Sequence, residues 1–317
     1  MPTGDAVAVV TGAGGGMGRE IALLLRSRYN CHLALVDVSA DRLRETQAEL
    51  DFISTALLAP EAVATPVKSP NGGKSPSKSP AKTRGPRTSI HIVDVTHRAA
   101  VFALADEVRE VHGRCDVVFN NAGVAATHAF HQVDLAAIDK VLDINLGGVI
   151  NVARAFLPLL IANEKAALVC TSSMEGYFAF PGNAAYVMSK FAVRGLCDCL
   201  LIEAAELYPH VQITCVHPGF VSTSIAANSS VHILDTGIGG KNRMVKAESV
   251  NRAILTMACT TPKQAAEQIV DGVVAGRTRI VVGSEAKVFD FFVRLFPHGV
   301  YVCVSLSLLS MLKTMTH

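Results

Sequence analysis

The sequence predicts a single α/β domain, doubly wound, with a mostly parallel seven-stranded sheet flanked by helices. Three observations predict it. Seven short apolar runs are nearly continuous rather than alternating, as strands buried on both faces must be. Amphipathic helical patterns separate them, so right-handed crossovers can join parallel neighbours. A glycine-rich turn, Thr11-Gly12-Ala13-Gly14-Gly15-Gly16-Met17-Gly18, links the first run to the first helical pattern. With 317 residues, half of them hydrophobic, the chain can bury a core of that size.

Taken in order, the strands are expected at Ala6–Thr11, His32–Asp37, Ser89–Asp94, Asp116–Asn120, Ala167–Ser172, Gln212–His217 and Arg279–Val282. Helical patterns include Gly16–Arg28, Ala40–Leu58, Ala99–His112 and Asn183–Leu207. The catalytic domain should span residues 1–283, followed by an apolar extension, 284–317. Residues 60–87 break the rhythm. They are rich in Pro, Gly, Ser and Lys, and Lys-Ser-Pro begins at Lys68, Lys74 and Lys78. With no apolar period, this stretch should be a solvated, disordered insert. It joins a helix to the next strand, on the sheet edge opposite the one where such folds bind ligands. A tolerated insertion is the plainer reading; a phosphorylation or docking segment at Ser69, Ser75 and Ser79 is the sharper one. The clean apolar run in the extension, 299–312, is shorter than the roughly 20 residues of a spanning helix. It reads as a helix over the substrate pocket or in a subunit interface, with a membrane-surface anchor as the alternative.

Charge and cysteine content narrow the class. A net charge of +2 offers nothing for nucleic acid to be drawn to. Cys31, Cys115, Cys170 and Cys215 lie in apolar runs, and Cys197 and Cys199 are two apart on a helix. The first four suit reduced core thiols of a cytoplasmic protein, the last two point in different directions and should form no metal or redox pair, and Met1–Asp5 shows no basic or apolar leader.

The glycine turn sits between a strand and a helix, the context in which such a motif binds a dinucleotide. Gly12 permits the tight turn. Gly16 and Gly18 let backbone approach phosphate and helix pack on strand, with Met17 between them. The helix N-terminus then offers N–H groups and partial positive charge to a pyrophosphate. Asp37 ends the second strand, about 20 residues on, where a carboxylate accepts hydrogen bonds from ribose hydroxyls. It would repel a 2′-phosphate, so NAD(H) is favoured over NADP(H), although Arg19 beside the turn could attract a phosphate.

Tyr186 and Lys190 are four apart in a helical pattern and share a face. A phenol titrates near about 10, and a neighbouring ammonium should lower that value, making Tyr186 a general acid or base. Ser173, ending the fifth strand, can donate to a substrate oxygen as charge develops. Ser172 is its rival. Asn145, a polar interruption of an apolar helix, is either a helix hydrogen-bonding residue or the holder of a water that relays protons through Lys190. Asn120-Asn121-Ala122-Gly123 ends the fourth strand and should brace the adenine side of the cofactor.

With these motifs in order from Thr11 to Thr223, the chain resembles the short-chain dehydrogenase/reductase family, whose fold is of the Rossmann type. The Ser-to-Tyr interval matches that family, which selects Ser173 over Ser172. The resemblance implies that Asp94 and Val95 contact adenine, that Thr223 and the backbone of Val221 hold the nicotinamide carboxamide, and that Pro218 and Gly219 also line the cofactor. It also implies that Tyr186 and Lys190 bind the nicotinamide ribose and that the protein is a homodimer or homotetramer. Met174, Tyr177, Phe178, Phe180, Phe220 and Ile225 favour a lipophilic alcohol or carbonyl substrate; only Lys241, Arg243 and Lys246, farther along, add positive charge. The competing reading is a catalytically silent dinucleotide-binding scaffold or sensor.

Overall fold

A computed structural model of the chain describes residues 5–58, 86–125, 130–180, 182–222 and 260–296. Most of the Lys-Ser-Pro insert, Thr223, Ile225, Lys241, Arg243, Lys246 and the 299–312 run lie outside these described residues.

The described elements are β1 (Val7–Thr11), α1 (Gly16–Tyr29), β2 (His32–Asp37), α2 (Ala40–Leu58), β3 (Thr88–Ile92), α3 (Arg98–His112) and β4 (Val117–Asn120). They continue with α4 (Leu135–Leu142), a π turn (Asp143–Gly147), α5 (Gly148–Ile161), β5 (Ala166–Thr171), a 3₁₀ turn (Met174–Gly176) and α6 (Ala184–Leu207). Then come β6 (Val211–Pro218), α7 (Pro262–Val274), β7 (Arg279–Val282) and α8 (Ser284–Leu295). The strand order is β3-β2-β1-β4-β5-β6-β7, and all the pairings are parallel. Successive strands run outward from β1 to one edge and then from β4 to the other. The β1/β4 boundary is therefore the topological switch point, where a crevice opens at the carboxyl edge.

Both faces of the central sheet are covered, which is why its strands read as unbroken apolar runs; β3 at the edge, Thr-Ser-Ile-His-Ile, is only half-buried. On one face Ile21 and Leu25 of α1, Leu43 and Leu50 of α2, and Ile269 and Val273 of α7 pack against β1, β2 and β4. On the other, Leu104 and Val108 of α3, Phe156 and Leu160 of α5, and Val193 of α6 do the same. Each such buried side chain contributes about 1.5–3 kcal/mol of transfer free energy. The stretch Leu135–Ile161 is apolar and long enough to cross a bilayer, but half of its most apolar window is buried within the protein.

The flanks of the insert lie at the amino edge of the sheet. Thr88 pairs with Leu33 near the start of β2. The buried Arg26 of α1 donates to Ser54 Oγ (3.0 Å), Pro86 O (2.8 Å) and Thr88 Oγ1 (2.7 Å), so one guanidinium joins the two ends of chain that bracket the insert.

Candidate active site

The cofactor half of the crevice is made largely of backbone. Gly12 and Gly16 have φ of 69° and 52°, in the region that favours glycine. A Cβ on Gly18 would collide with the Gly12 carbonyl, so the turn closes only over a glycine. Gly15 starts α1 without a side-chain cap, and no acidic residue occupies the first turn, leaving that helix end electrostatically suited to an anion. The adjoining cleft, about 440 Å³, is lined by Gly12, Gly16, Met17, Asp37, Asp94, Val95, Asn121, Ala122 and Gly123, all of them expected there. Gly18 lies beneath the turn instead. Arg42 and Lys140 also line the cleft and were not expected.

Asp37 anchors the rim. Its Oδ2 accepts from Gly14 N and its Oδ1 from Ser39 N, both at 3.0 Å. Ser39 Oγ accepts from Arg42 N at 3.4 Å and serves the start of α2, which leaves Asp37 facing the cleft rather than capping the helix. A Cβ on Gly14 would come within 2.9 Å of both Asp37 Oδ2 and Arg42 Cβ, so this fourth constrained glycine belongs with the predicted set. Arg19 pairs with Glu49 on α2; the cation at the Asp37 end is Arg42. Desolvation works to raise the Asp94 carboxyl, but two hydrogen bonds from Thr96, at 2.9 and 2.8 Å, prevail and hold it below its ordinary value. Thr11 Oγ1 accepts from Asn121 N (2.9 Å) and Ala122 N (3.0 Å), locking the β1 and β4 exits together.

The other half of the site is made of side chains. Ser172 Oγ donates to Lys190 O at 2.8 Å, deep in the protein. Ser173 instead lies beside the Tyr186 phenol and acts to lower it. Both serines are buried; Ser172 is tied to the α6 backbone, whereas Ser173 is the one beside the phenol. Lys190 is buried, donates from Nζ to Thr171 O at 3.0 Å, and places Nζ 5.5 Å from the centroid of the Tyr186 ring. Asn145 sits in the π turn, an irregularity that often marks functional sites. Its Oδ1 accepts from Val124 N (2.8 Å), and its Nδ2 donates to Val124 O (2.9 Å) and Ser189 Oγ (3.2 Å). That side chain therefore clamps the β4 exit to α6.

The expected electrostatics need one correction. Burial, and then the Glu175 charge, push the Tyr186 phenol above its ordinary value, against the Ser173 hydrogen bond. Burial also lowers Lys190 to about 8. The desolvation that brings these groups together costs both charged forms more than their proximity returns, so in the free protein the phenol keeps its proton.

Beyond β6, Gly219 N donates to Val282 O at 2.9 Å, and Phe220 N donates to Glu285 Oε1 of α8 at 2.9 Å. Pro218 ends β6, and Val221 bridges to Thr260. A Cβ on Gly219 would meet the Glu285 carboxylate, so a larger residue here would have to push that side chain off the Phe220 N–H. Beside it, Met174, Tyr177 and Phe178 bury themselves with Ala286, and Phe180, Phe220 and Phe289 pack against them. Sequence reasoning missed Glu175, Arg42 and Lys140. Arg42, five residues after Asp37, had a positional signal; the other two depend on tertiary placement.

The profile of the short chain dehydrogenase family matches residues 63–233. A Mycobacterium tuberculosis protein named "Putative oxidoreductase SadH" is 36% identical over 289 residues, covering 91% of this chain and 90% of its own. A crystal structure of a short chain dehydrogenase/reductase from Burkholderia phymatum in complex with NAD superposes with a TM-score of 0.72 at 24% identity, over 93% of this chain and 96% of that one. An alcohol dehydrogenase from the archaeon Thermococcus sibiricus, complexed with 5-hydroxy-NADP, gives 0.61 at 24% identity, over 87% and 95%.

Proposed function

Because this chain belongs to the short-chain dehydrogenase/reductase family of oxidoreductases, we propose that it interconverts a lipophilic secondary alcohol and its ketone, or a primary alcohol and its aldehyde, with NAD(H). The carrying observation is the meeting of Ser173, Tyr186 and Lys190 at the carboxyl end of β5, beside a cleft whose floor is glycine backbone.

The cleft fits a dinucleotide by its own chemistry. The uncapped start of α1 suits the pyrophosphate, Asp37 the adenosine ribose, and Asp94 and Val95 the adenine; the nicotinamide end falls to Pro218, Gly219, Val221 and Thr223 by family resemblance alone, the last of them outside the described residues. A bound nicotinamide supplies the hydride donor or acceptor and, when oxidised, a positive charge near the phenol. Ser173 donates to the substrate oxygen. Tyr186, protonated in the free protein, is ready to give its proton to a carbonyl oxygen during reduction. In oxidation the same phenol must accept the hydroxyl proton, which requires added positive charge to favour phenolate. Lys190 holds the nicotinamide ribose and passes protons toward Asn145. The Met174, Tyr177, Phe178 and Phe220 surroundings favour an apolar substrate body.

NADP(H) is the competing cofactor, and Arg42 is the observation that favours it. Dissociation constants for NADH and NADPH decide the matter. A tenfold preference for NADPH, about 1.4 kcal/mol, would overturn the Asp37 assignment. A cofactor-coupled screen of lipophilic alcohols and ketones tests the reaction. Tight NADH binding without turnover across that screen would favour the silent scaffold. Pairing into a homodimer or homotetramer through α5 and α6 fits the outward Ile150, Met188 and Phe191. A cytoplasmic enzyme with membrane-surface contact through α8 fits the exposed Val288, Phe291, Phe292 and Leu295.

A further inference from the structure

The reaction uses Ser173, Tyr186 and Lys190 and leaves a buried carboxyl beside them, Glu175, without a part. Glu175 lies on the 3₁₀ turn that Ser173 opens, and its backbone N–H donates to Ser173 Oγ at 3.1 Å. The residue is 8% exposed. Its carboxylate accepts from one donor group, Asn183 Nδ2, at 3.1 and 3.3 Å, and among the described residues no cation pairs with it. Asn183 stands at the start of α6, three residues before Tyr186.

The groups that face this turn are few. From α6 come Tyr186 and Lys190. From β6 comes His217, whose Nδ1 is engaged with Ser173 O at 2.9 Å. From the α8 side come Tyr177, whose hydroxyl donates to Ala286 O at 2.7 Å, Glu285, which takes the Phe220 N–H, and the Arg279–Asp290 pair beyond Tyr177. A carboxyl here has lost its water and has one amide and one unpaired ammonium nearby. Burial raises it to about 8, against the Asn183 hydrogen bond and the Lys190 charge. Its negative charge, once formed, acts directly on the Tyr186 phenol.

We propose that Glu175 is a proton-holding positioning residue of this site: neutral, it lets Tyr186 ionise, and ionised, it opposes the phenolate, so that it sets the pH at which Tyr186 changes from acid to base. The proposal rests on Tyr186 being the acid/base group. The two titrations are coupled, because each negative charge makes the other harder to form.

Glu175→Gln keeps the size and an acceptor for Asn183 but removes the charge. The rising limb of kcat/KM against pH, measured for alcohol oxidation, should move about one pH unit lower, worth up to about tenfold in rate on that limb. Glu175→Ala should move the limb in the same direction. A limb that stays at the wild-type pH in Gln, with Ala lowering only kcat or stability, would overturn the proposal in favour of a packing role. Infrared difference spectra of the whole protein give a readout that needs no turnover. The wild type should show a protonated-carboxyl band near neutral pH that titrates at about 8 and is missing from Glu175→Gln. Absence of that band would also overturn the proposal. A band that titrates as expected in a protein that turns over no alcohol or ketone would support proton-holding by Glu175 and count against the reaction instead.

Discussion

Two turns leave the carboxyl edge of the sheet toward the same crevice, and they are built on opposite principles. The β1–α1 turn works through backbone. Its glycines remove Cβ atoms where Gly12, Asp37 and Arg42 approach, and its helix end presents N–H groups. The β5–α6 connection works through side chains taken out of water: Ser173, Glu175, Tyr186 and Lys190 lie within hydrogen-bonding or charge range of one another. The first depends on shape and tolerates almost no added atom. The second depends on desolvation and charge, so small chemical changes should alter its pH behaviour before they alter its fold.

The largest expected effect belongs to the second turn. Tyr186→Phe should reduce kcat for alcohol oxidation by about 10²–10⁴-fold, with a much smaller change in NADH affinity, measured by steady-state kinetics and titration calorimetry. Undiminished turnover would remove Tyr186 from its role. The first turn should respond in affinity and stability together. Gly18→Ala, whose Cβ meets the Gly12 carbonyl, should cost about 1–3 kcal/mol of stability and at least about tenfold in NADH affinity. Gly15→Ala, whose Cβ meets nothing within 4 Å, should leave stability within about 0.5 kcal/mol of wild type. Equal effects at the two glycines in thermal melts would break the shape argument.

The contrast also explains what was legible in the sequence. All seven strands were readable to within about a residue or two at each end, the central ones because strands buried on both faces have to be continuously apolar. The places of the glycine turn and Asp37 at the cleft were readable because they follow from local chain geometry. The choice of Ser173 over Ser172 was readable only through the family's spacing; what separates them is that one reaches Lys190 O and the other Tyr186. The expectation that Lys190 lowers the phenol failed because a four-residue spacing says that two groups share a face but not how much water remains around them. Glu175 escaped notice for the same reason. The π turn around Asn145 has no local sequence signature, whereas the capping box before α7, Thr261 with Gln264 and Pro262 between them, does have one.

Smaller effects sharpen the comparison further. Asp37→Ala should shift the ratio of NADPH to NADH affinity by about tenfold toward NADPH, since the repelling carboxylate goes and Arg42 stays. Glu175→Gln should show a stability effect whose sign follows from linkage. The carboxyl is raised from its ordinary 4.5 to about 8 in the folded protein, so its stabilising contribution is full below about 4.5 and is lost as pH rises through about 8. The Gln variant escapes that loss. It should therefore gain on wild type across this window, reaching about 1–3 kcal/mol above it, in denaturant unfolding at a series of pH values.

Transfer of the hydride itself is the most direct test of the reaction assigned to this site. Wild-type protein should be incubated with oxidised NAD and a lipophilic secondary alcohol carrying deuterium on the carbinol carbon, and the recovered nicotinamide weighed by mass spectrometry. The account predicts reduced cofactor carrying that deuterium, formed at a rate that falls in Tyr186→Phe. Cofactor that binds tightly yet returns unreduced and unlabelled, across alcohols and across the reverse reaction with ketones, would contradict it.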